Sequence, residues 1–375
     1  MKNILITGSE GFIGKNLRVA LQRRDDVRIL TYDVGIDPAE LPSLLSRADI
    51  VFHLAGVNRP KNEDEFKTGN KGLTEQIVAT LIERGNKTPL IISSSTQAAL
   101  DNPYGISKKE AEDAVFSYGS VTGAPVYVFR FTNVFGKWSR PNYNSVVSTF
   151  CHNIAHGLDI TINDPAREME LVYVDDIVAD FLKILDGALS SSHECLTVSP
   201  TYRITLQALA NKIYELRDIR KTLVIPDLSD DFIRKLHATY LSYLDTQDFS
   251  YPLDIKTDNR GALAELIKSD QFGQMFVSRT HGHITRGNHY HDSKIEKFCV
   301  LQGEAIIRFR HVFSGEVIEY PVSGQQWKVV DIPPGYTHHI ENLSDDEMIV
   351  LFWANQIFDP GTPDTYFLPV RQEEL

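Results

Sequence analysis

Four residues in the last third of the chain have the types and spacing of a metal site: His289, His291, Glu296 and His338. Side chains alternate between the two faces of a strand, so His289 and His291 are predicted to point the same way. Glu296 and His338 would complete a set of three imidazoles and one carboxylate. Such a set suits zinc or another first-row divalent ion and leaves room for a substrate oxygen. The alternative is a purely structural metal ion with closed tetrahedral coordination.

A second reactive group lies in the first third of the chain, where Tyr104 and Lys108 are separated by one helical turn. Residues at i and i+4 share a helix face, so the Lys108 ammonium is predicted to lower the pKa of Tyr104. A phenol of this kind can protonate a carbonyl oxygen as hydride arrives, and Ser95 could hold that oxygen. The alternative is an ordinary pair on a surface helix.

The elements that would position these residues begin with a glycine-rich turn. Residues 4–7 form an apolar strand pattern, Gly8, Gly11 and Gly14 follow at once, and an amphipathic helix runs over 13–23. Glycines let the backbone approach a pyrophosphate, and the free N–H groups at the helix start bind its charge. The pattern predicts a dinucleotide site, with a tight turn that binds nothing as the alternative.

The nicotinamide cofactor is predicted from the end of the second strand, where Asp33 follows residues 27–32. A carboxylate there accepts a hydrogen bond from the ribose 2′-hydroxyl and disfavours a 2′-phosphate, which points to NADH. Lys15 and Arg18 lie near the glycine turn, and either could bind a phosphate. The choice between NADH and NADPH therefore stays open on these residues.

Composition sets the class of protein. The chain has 375 residues, 42% of them hydrophobic, and a formal charge of −12. This composition is typical of a folded globular protein, and the negative charge predicts no nucleic-acid partner. Three scattered cysteines fit buried thiols in a reducing compartment, and no apolar run has the length of a membrane span. We expect a cytoplasmic protein.

The pattern changes at about residue 248, which predicts two domains, 1–247 and 248–375. Alternating strand and helix patterns before that point predict an α/β Rossmann-type fold with a doubly wound parallel sheet. Short alternating strands after it predict an all-β barrel. Seven of the twelve histidines fall between His281 and His339, so the chemistry changes with the architecture.

Several motifs of the first domain resemble the extended short-chain dehydrogenases/reductases that act on nucleotide sugars. They are Thr7 to Gly14 with its glycines, His53 to Gly56, Ser93 to Ser95, Tyr104 with Lys108, and Arg130 to Gly136. The resemblance implies that Ser95, Tyr104 and Lys108 are catalytic and that Asn133 lies beside nicotinamide and sugar. The implied cofactor residues are Gly8, Gly11, Phe12, Ile13, Gly14, Asp33, Leu54, Ala55, Gly56, Tyr104 and Lys108.

Two further features bear on the substrate of this domain. Sugar 4,6-dehydratases of the family carry an Asp-Glu pair after the serine strand, where this chain has Thr96 and Gln97, so dehydration is not expected. The loop 137–144 is basic and rich in amides, which suits a substrate diphosphate. Lys137, Asn142 and Asn144 are its predicted ligands, with a merely solvated loop as the alternative.

The second domain resembles the cupins, with one motif over His289, His291 and Glu296 and a second that contains His338. Asp258 to Gly261 and Arg286 to Tyr290 are also similar to nucleotide-sugar 3,5-epimerase cupins, in which the histidine at the His289 position is a base. His289 is therefore either a metal ligand or a base. The same resemblance makes Arg260 a substrate residue.

The whole chain resembles bifunctional capsular polysaccharide synthesis enzymes of the UDP-N-acetyl-L-fucosamine pathway. This implies a UDP-2-acetamido-2,6-dideoxy-4-hexulose substrate, C3 epimerisation in a zinc cupin barrel, NADPH reduction at C4, and a homodimer. Two alternatives remain: a sugar nucleotide 4-epimerase that retains its NAD and carries a structural cupin, and a non-enzymatic redox-sensing or ligand-binding module.

Overall fold

The structure, a computed structural model, describes residues 1–60, 62, 64–85, 87–191, 193–258, 261–264, 267, 273–356 and 361–371. The chain divides into two compact units, Met1–Val146 with Glu168–Ile204 and Val147–Arg167 with Thr205–Leu375. The predicted domain boundary after residue 247 stays a prediction. None of the helices in the described part of the chain is long and apolar enough to cross a lipid bilayer.

Strands and helices alternate over the first 205 residues. In chain order they are β1 (Lys2–Thr7), α1 (Phe12–Gln22), β2 (Val27–Tyr32), α2 (Leu41–Arg47), β3 (Ile50–His53), α3 (Asp64–Phe66), α4 (Leu73–Glu83), β4 (Leu90–Ser95), α5 (Pro103–Thr122), β5 (Val126–Phe131), β6 (Asn133–Phe135), α6 (Val146–Ala155), β7 (Glu168–Tyr173), α7 (Val174–Leu185) and β8 (Thr201–Thr205). This alternation is the pattern of parallel α/β sheets.

Two helices and a run of short strands follow. They are α8 (Leu206–Thr222), α9 (Asp231–Leu241), β9 (Ser250–Pro252), β10 (Ile255–Asp258), β11 (Gly261–Ala264), β12 (Gln274–Thr280), β13 (Thr285–Tyr290), β14 (Glu296–Gln302), β15 (Glu304–His311), β16 (Val317–Ser323), β17 (Lys328–Ile332), β18 (Tyr336–Asn342), β19 (Met348–Ala354) and β20 (Tyr366–Phe367). The change from helices to strands near residue 248 agrees with the sequence pattern.

The first unit is built on a parallel sheet in the order β2-β1-β3-β4-β5. Apolar side chains on both faces of the sheet are buried under helices: α1 and α7 contribute to the core on one face, and α2, α4 and α5 to the core on the other. The strand order reverses between β1 and β3, and ligands of such sheets bind at the carboxyl ends of strands at this switch point. The predicted doubly wound α/β fold is confirmed.

The described strands of the second unit form two five-stranded antiparallel sheets, in the orders β12-β19-β14-β17-β9 and β16-β15-β18-β13-β20, and a small antiparallel pair, β10-β11. In β14 the side chains alternate, so that Phe298 packs against Phe352 with ring centroids 4.5 Å apart, while the neighbouring Lys297 bonds to Asp331. Phe298 also lies 5.8 Å from the ring of His338. The predicted all-β barrel after the α/β domain is confirmed.

Candidate active site and metal centre

A cavity of about 830 Å³ lies at the carboxyl edge of the parallel sheet. Its walls come from the glycine turn after β1, the ends of β3 and β4, the start of α5 and the loop after β6. Of the predicted cofactor residues, those that line it are Gly8, Gly11, Phe12, Ile13, Gly14, Leu54, Gly56, Tyr104 and Lys108. Ala55 lines a smaller cavity that shares Lys108 and Ser93 with the first.

The glycine turn is shaped by close backbone contacts. A Cβ atom on Gly8, whose φ is +72°, would lie 2.6 Å from the nitrogen of Ala55. A Cβ on Gly14 would lie 2.1 Å from the carbonyl oxygen of Gly8. Among the described residues, no side chain caps the N-terminus of α1 and no acidic residue occupies its first turn. Its first N–H groups can therefore receive a phosphate.

Asp33 does not belong to the described lining of the large cavity. Its carboxylate accepts hydrogen bonds from the Ser9 hydroxyl at 2.6 Å and from the backbone N–H of Glu10 at 3.0 Å. Asp33 therefore ties the end of β2 to the glycine turn. Its predicted contact with the ribose stays a prediction.

Ser95, Tyr104 and Lys108 come together on the cavity wall. Helix α5 begins there because Asn102 caps it, accepting a hydrogen bond from the N–H of Gly105 at 2.8 Å, and Pro103 occupies the first turn. The Tyr104 hydroxyl donates to Asn58 at 3.1 Å. Asn58, which no sequence motif singled out, is thus a polar partner of the predicted proton donor.

The electrostatics of Tyr104 differ from the sequence-based expectation. Burial raises the pKa of Tyr104, and a hydrogen bond with Ser95 only partly offsets this. The net shift is upward even though Lys108 lies on the same helix face, where its Nζ is 5.9 Å from the centre of the Tyr104 ring and donates to the carbonyl of Ser93 at 3.1 Å. Burial lowers the pKa of Lys108 itself to about 8, against an upward shift from Glu112.

An ion pair one helical turn from Lys108, between Glu112 and the partly exposed Arg130, was not predicted. Glu112, one turn further along α5, is fully buried and accepts two hydrogen bonds from Arg130, at 2.9 and 2.6 Å. It also accepts one from Ser94 at 2.6 Å. The i, i+4, i+8 spacing of Tyr104, Lys108 and Glu112 was the available signal.

Only some of the residues predicted to bind substrate line the large cavity. Asn133 and Asn144 line the large cavity; Lys137 and Asn142 are absent from its described lining. Lys137 is buried, and its ammonium donates to both carboxylate oxygens of Asp175, at 2.8 and 2.9 Å. Arg260 lies outside the described residues.

Arg140 from the same loop was not among the predicted substrate residues, but it lines the cavity. Its guanidinium lies 5.2 Å from the centre of the Tyr143 ring, another lining residue. A basic loop gives no local signal for which of its cations is already paired. Lys137 is paired because it contacts Asp175, a residue distant in sequence.

The four predicted metal-binding residues meet in the second unit, with one potential ligand atom each and all four atoms within 4.8 Å of one another. The Nε2 atoms of His291 and His338 lie 3.4 and 3.7 Å from Oε2 of Glu296. Both Nε2 atoms are buried and have no hydrogen-bond partner among the described residues. Unpartnered imidazole nitrogens around a carboxylate fit the donor set of a divalent metal ion.

The charge states also suit a metal. Burial, together with the neighbouring His338 and His291, lowers the pKa of His289 to about 3. Burial also lowers the pKa of His338. For Glu296, burial alone would raise the pKa, but His291 and His338 hold it well below its usual value. Neutral imidazoles and an ionised carboxylate are the ligating forms.

Comparison with known proteins identifies the family. The model of the NAD dependent epimerase/dehydratase family matches residues 4–194, just over half of the chain. The matched segment contains the glycine turn and Tyr104, which line the large cavity. The chain belongs to this family. A second model, the polysaccharide biosynthesis C-terminal domain, matches residues 256–366, which include the histidine cluster.

Two known proteins match this chain over almost its whole length. UDP-2-acetamido-2,6-beta-L-arabino-hexul-4-ose reductase from Pseudomonas aeruginosa is 43% identical over 369 residues, which are 98% of this chain and 99% of the relative. The crystal structure of the capsular polysaccharide assembling protein CapF from Staphylococcus aureus is 43% identical with a TM-score of 0.67. The match covers 98% of this chain and 100% of that one.

A third similarity concerns the fold alone. UDP-glucuronic acid 4-epimerase from Bacillus cereus, in complex with NAD, is 18% identical with a TM-score of 0.52, over 57% of this chain and 84% of that one. Family membership and the full-length relative show that the chain is an enzyme of the oxidoreductase and epimerase class with a nicotinamide cofactor.

Proposed function

We propose that this enzyme inverts C3 of a UDP-2-acetamido-2,6-dideoxy-4-hexulose in its barrel and reduces the C4 ketone in its first domain, in the synthesis of a capsule or surface polysaccharide precursor. The observation that carries the proposal is the meeting of Ser95, Tyr104 and Lys108 with the glycine turn in one cavity. The full-length similarity to a 4-ketose reductase supports the substrate class.

In the reductase, the nicotinamide cofactor supplies hydride when bound. Tyr104 gives its hydroxyl proton to the C4 oxygen, and Ser95 orients that oxygen by a hydrogen bond. Lys108, whose ammonium contacts the carbonyl of Ser93, supplies positive charge beside the phenol as the proton leaves. Asn133, Asn144 and Arg140 are the lining residues suited to the sugar and diphosphate.

In the barrel, His291, Glu296, His338 and His289 would hold a zinc or similar divalent ion, which would polarise the substrate ketone and so acidify the C3 proton. His289 has two possible roles, as fourth ligand or as the base that takes this proton. Its imidazole is only half-buried, whereas the other three side chains are buried, so it is the one of the four that a substrate could reach.

The order of the two reactions follows from the chemistry of the ketone. Removal of the C3 proton is feasible because the resulting anion delocalises onto the neighbouring C4 carbonyl. Reduction converts that carbonyl to an alcohol and removes the delocalisation. Epimerisation therefore precedes reduction.

Four finer points belong to the proposal. The cofactor is NADPH, with NADH possible because of Asp33, whose carboxylate already bonds to Ser9 and Glu10. The barrel ion is zinc, the enzyme is a homodimer, and it acts in the cytoplasm. The resemblance to capsule enzymes supports NADPH, zinc and the homodimer, and the three scattered cysteines support the cytoplasm.

The proposed function is tested by incubating the enzyme with candidate UDP-4-keto sugars and NADPH in heavy water. We expect the near-ultraviolet absorbance of the reduced nicotinamide to fall while deuterium is incorporated at C3. A retained-cofactor 4-epimerase would instead interconvert a UDP-sugar and its C4 epimer without consuming added NADPH. That result would replace the present proposal.

A further inference from the structure

We propose that Asp364 is a positioning residue for the barrel's divalent metal ion, holding His291 and the turn after it in the ligating arrangement. The proposal rests on the metal site proposed above and adds a residue more than seventy positions away in sequence. Asp364 belongs to the C-terminal strap, which we define as residues 361–371.

The carboxylate of Asp364 binds the turn that separates the ligands His291 and Glu296. Its Oδ1 accepts the N–H of Asp292 at 2.9 Å. Its Oδ2 accepts the N–H of Ser293 at 3.0 Å, the hydroxyl of Ser293 at 2.9 Å and the N–H of Lys294 at 2.7 Å. Four donors from three successive residues therefore converge on one side chain, which fixes the path of the turn.

The backbone of Asp364 acts on the ligand itself. Its carbonyl oxygen accepts a hydrogen bond from Nδ1 of His291 at 2.6 Å. A carbonyl can only accept, so Nδ1 carries the proton and the lone pair is left on Nε2. That Nε2 is the buried atom that faces Glu296. Such partners set the tautomer and ring orientation of metal-bound histidines.

The strap is itself held against the sheet that carries His289. Phe367 pairs with His289 and Tyr366 with Tyr290 as β20 joins β13. The N–H of Leu368 donates to the carbonyl of Asn288 at 2.8 Å. Asp364 adopts φ +37°, a left-handed conformation that Asp, Asn and Gly tolerate better than other residues. Asp364 is therefore presented to His291 by a segment whose register is fixed on β13.

The test compares three variants by competition for Zn²⁺ with a chromophoric chelator. Asp364→Gly removes the carboxylate without the strain that alanine would meet at this φ, and we expect Zn²⁺ affinity to fall about 10- to 100-fold. Asp364→Asn keeps an acceptor oxygen, so its affinity should lie between wild type and the Gly variant. Asp345→Ala, at a carboxylate whose side chain is 98% exposed, is the control and should bind as wild type.

Thermal melts of the metal-free proteins separate positioning from plain stabilisation. If Asp364→Gly melts at a lower temperature yet binds Zn²⁺ as tightly as wild type, Asp364 only stabilises the turn and this inference is wrong. If wild type does not bind Zn²⁺ at all, the proposed metal site fails, and the inference fails with it. His338→Ala, which removes a proposed ligand, should abolish Zn²⁺ binding; if it binds Zn²⁺ as wild type does, the measured affinity belongs to another site and the inference is wrong.

Discussion

Lys108 and Glu112 show how single residues set the chemistry of the large cavity. Burial lowers the pKa of Lys108 to about 8, and the carboxylate of Glu112, one turn away, acts against that shift. The ammonium is thus the form present below about pH 8 and is lost as pH rises through this value. Reduction that depends on the ammonium should fall over the same range.

The substitution Glu112→Gln tests this coupling. It removes the charge that raises the pKa of Lys108, so the alkaline limb of the kcat/KM profile for ketone reduction should move to lower pH. Glu110→Gln is the matched control, since Glu110 lies on the same helix but pairs with Lys71 at 3.1 Å. If the alkaline limb stays at the same pH in Glu112→Gln, ionisation of Lys108 is not the cause of the pH dependence.

Tyr104 and Lys108 were predicted from their helical spacing, and Ser95 from its place at the end of a strand. Sequence reasoning did not reach Asn58 or the pairing of Glu112 with Arg130, because those contacts join residues far apart in the chain. The expected lowering of the Tyr104 pKa was wrong for a similar reason. It was argued from helix spacing alone, whereas burial by the surrounding fold has the larger effect.

At the scale of elements, the glycine turn and helix α1 form one close-packed piece. A Cβ at Gly14 would meet the carbonyl oxygen of Gly8 at 2.1 Å, and that oxygen is a backbone atom that cannot rotate away as a flexible side chain could. The glycine spacing in the sequence correctly predicted the strand, turn and helix. It could not separate the glycines needed for packing from those needed for ligand approach.

Gly14→Ala should therefore displace the turn from α1. We expect a loss of stability of about 1–3 kcal/mol and weaker NADPH binding, measured by thermal melts and by nicotinamide fluorescence titration. Gly315→Ala is the control, because a Cβ there meets nothing within 4 Å. Unchanged melting and binding in Gly14→Ala would mean that the turn is more adaptable than these contacts indicate.

In the second unit, the two faces of strand β14 carry different kinds of residue. One of its faces carries Glu296, and the other carries Lys297, whose ammonium bonds to the buried Asp331. Asp331 also accepts a hydrogen bond from Arg220 of α8 at 2.8 Å. Burial alone would raise the pKa of Asp331, but these two cations lower it. Helix α8 is thus tied, through Asp331 of β17, to strand β14, which carries Glu296.

Asp331→Ala should leave the buried ammonium of Lys297 without its carboxylate partner, whereas Arg220 keeps its ion pair with Asp248. We expect the free energy of unfolding of the second unit to fall by about 3–5 kcal/mol in urea, and Asp345→Ala to change it by less than about 0.5 kcal/mol. The folded-state pKa of Asp331 is depressed, so its contribution is present above the unfolded pKa and is lost as pH falls through the folded value. A difference between wild type and variant that persists undiminished in acid would contradict this origin.

At the scale of the whole molecule, periodicity predicted the α/β fold followed by an all-β barrel. Gly, Pro and histidine usage changed where the strands of the barrel begin. The contribution of the C-terminal strap was not predictable in this way. Asp364 contacts residues 292–294 across about seventy positions, and no local pattern encodes a contact of that length.

We propose that the two sites act on the same C4 ketone, one after the other. The barrel needs the carbonyl to acidify C3, and the reductase removes it. This division of labour is the central claim, and it requires that each activity survive loss of the other.

The most direct measurement follows C3 exchange in heavy water and NADPH oxidation side by side in Tyr104→Phe and His338→Ala. Tyr104→Phe should lower reduction about 10²- to 10⁴-fold while C3 exchange continues, because the phenol acts only in proton transfer to C4. His338→Ala should stop the exchange yet still reduce a substrate supplied in the inverted C3 configuration. Loss of both activities in a folded Tyr104→Phe enzyme would contradict the account.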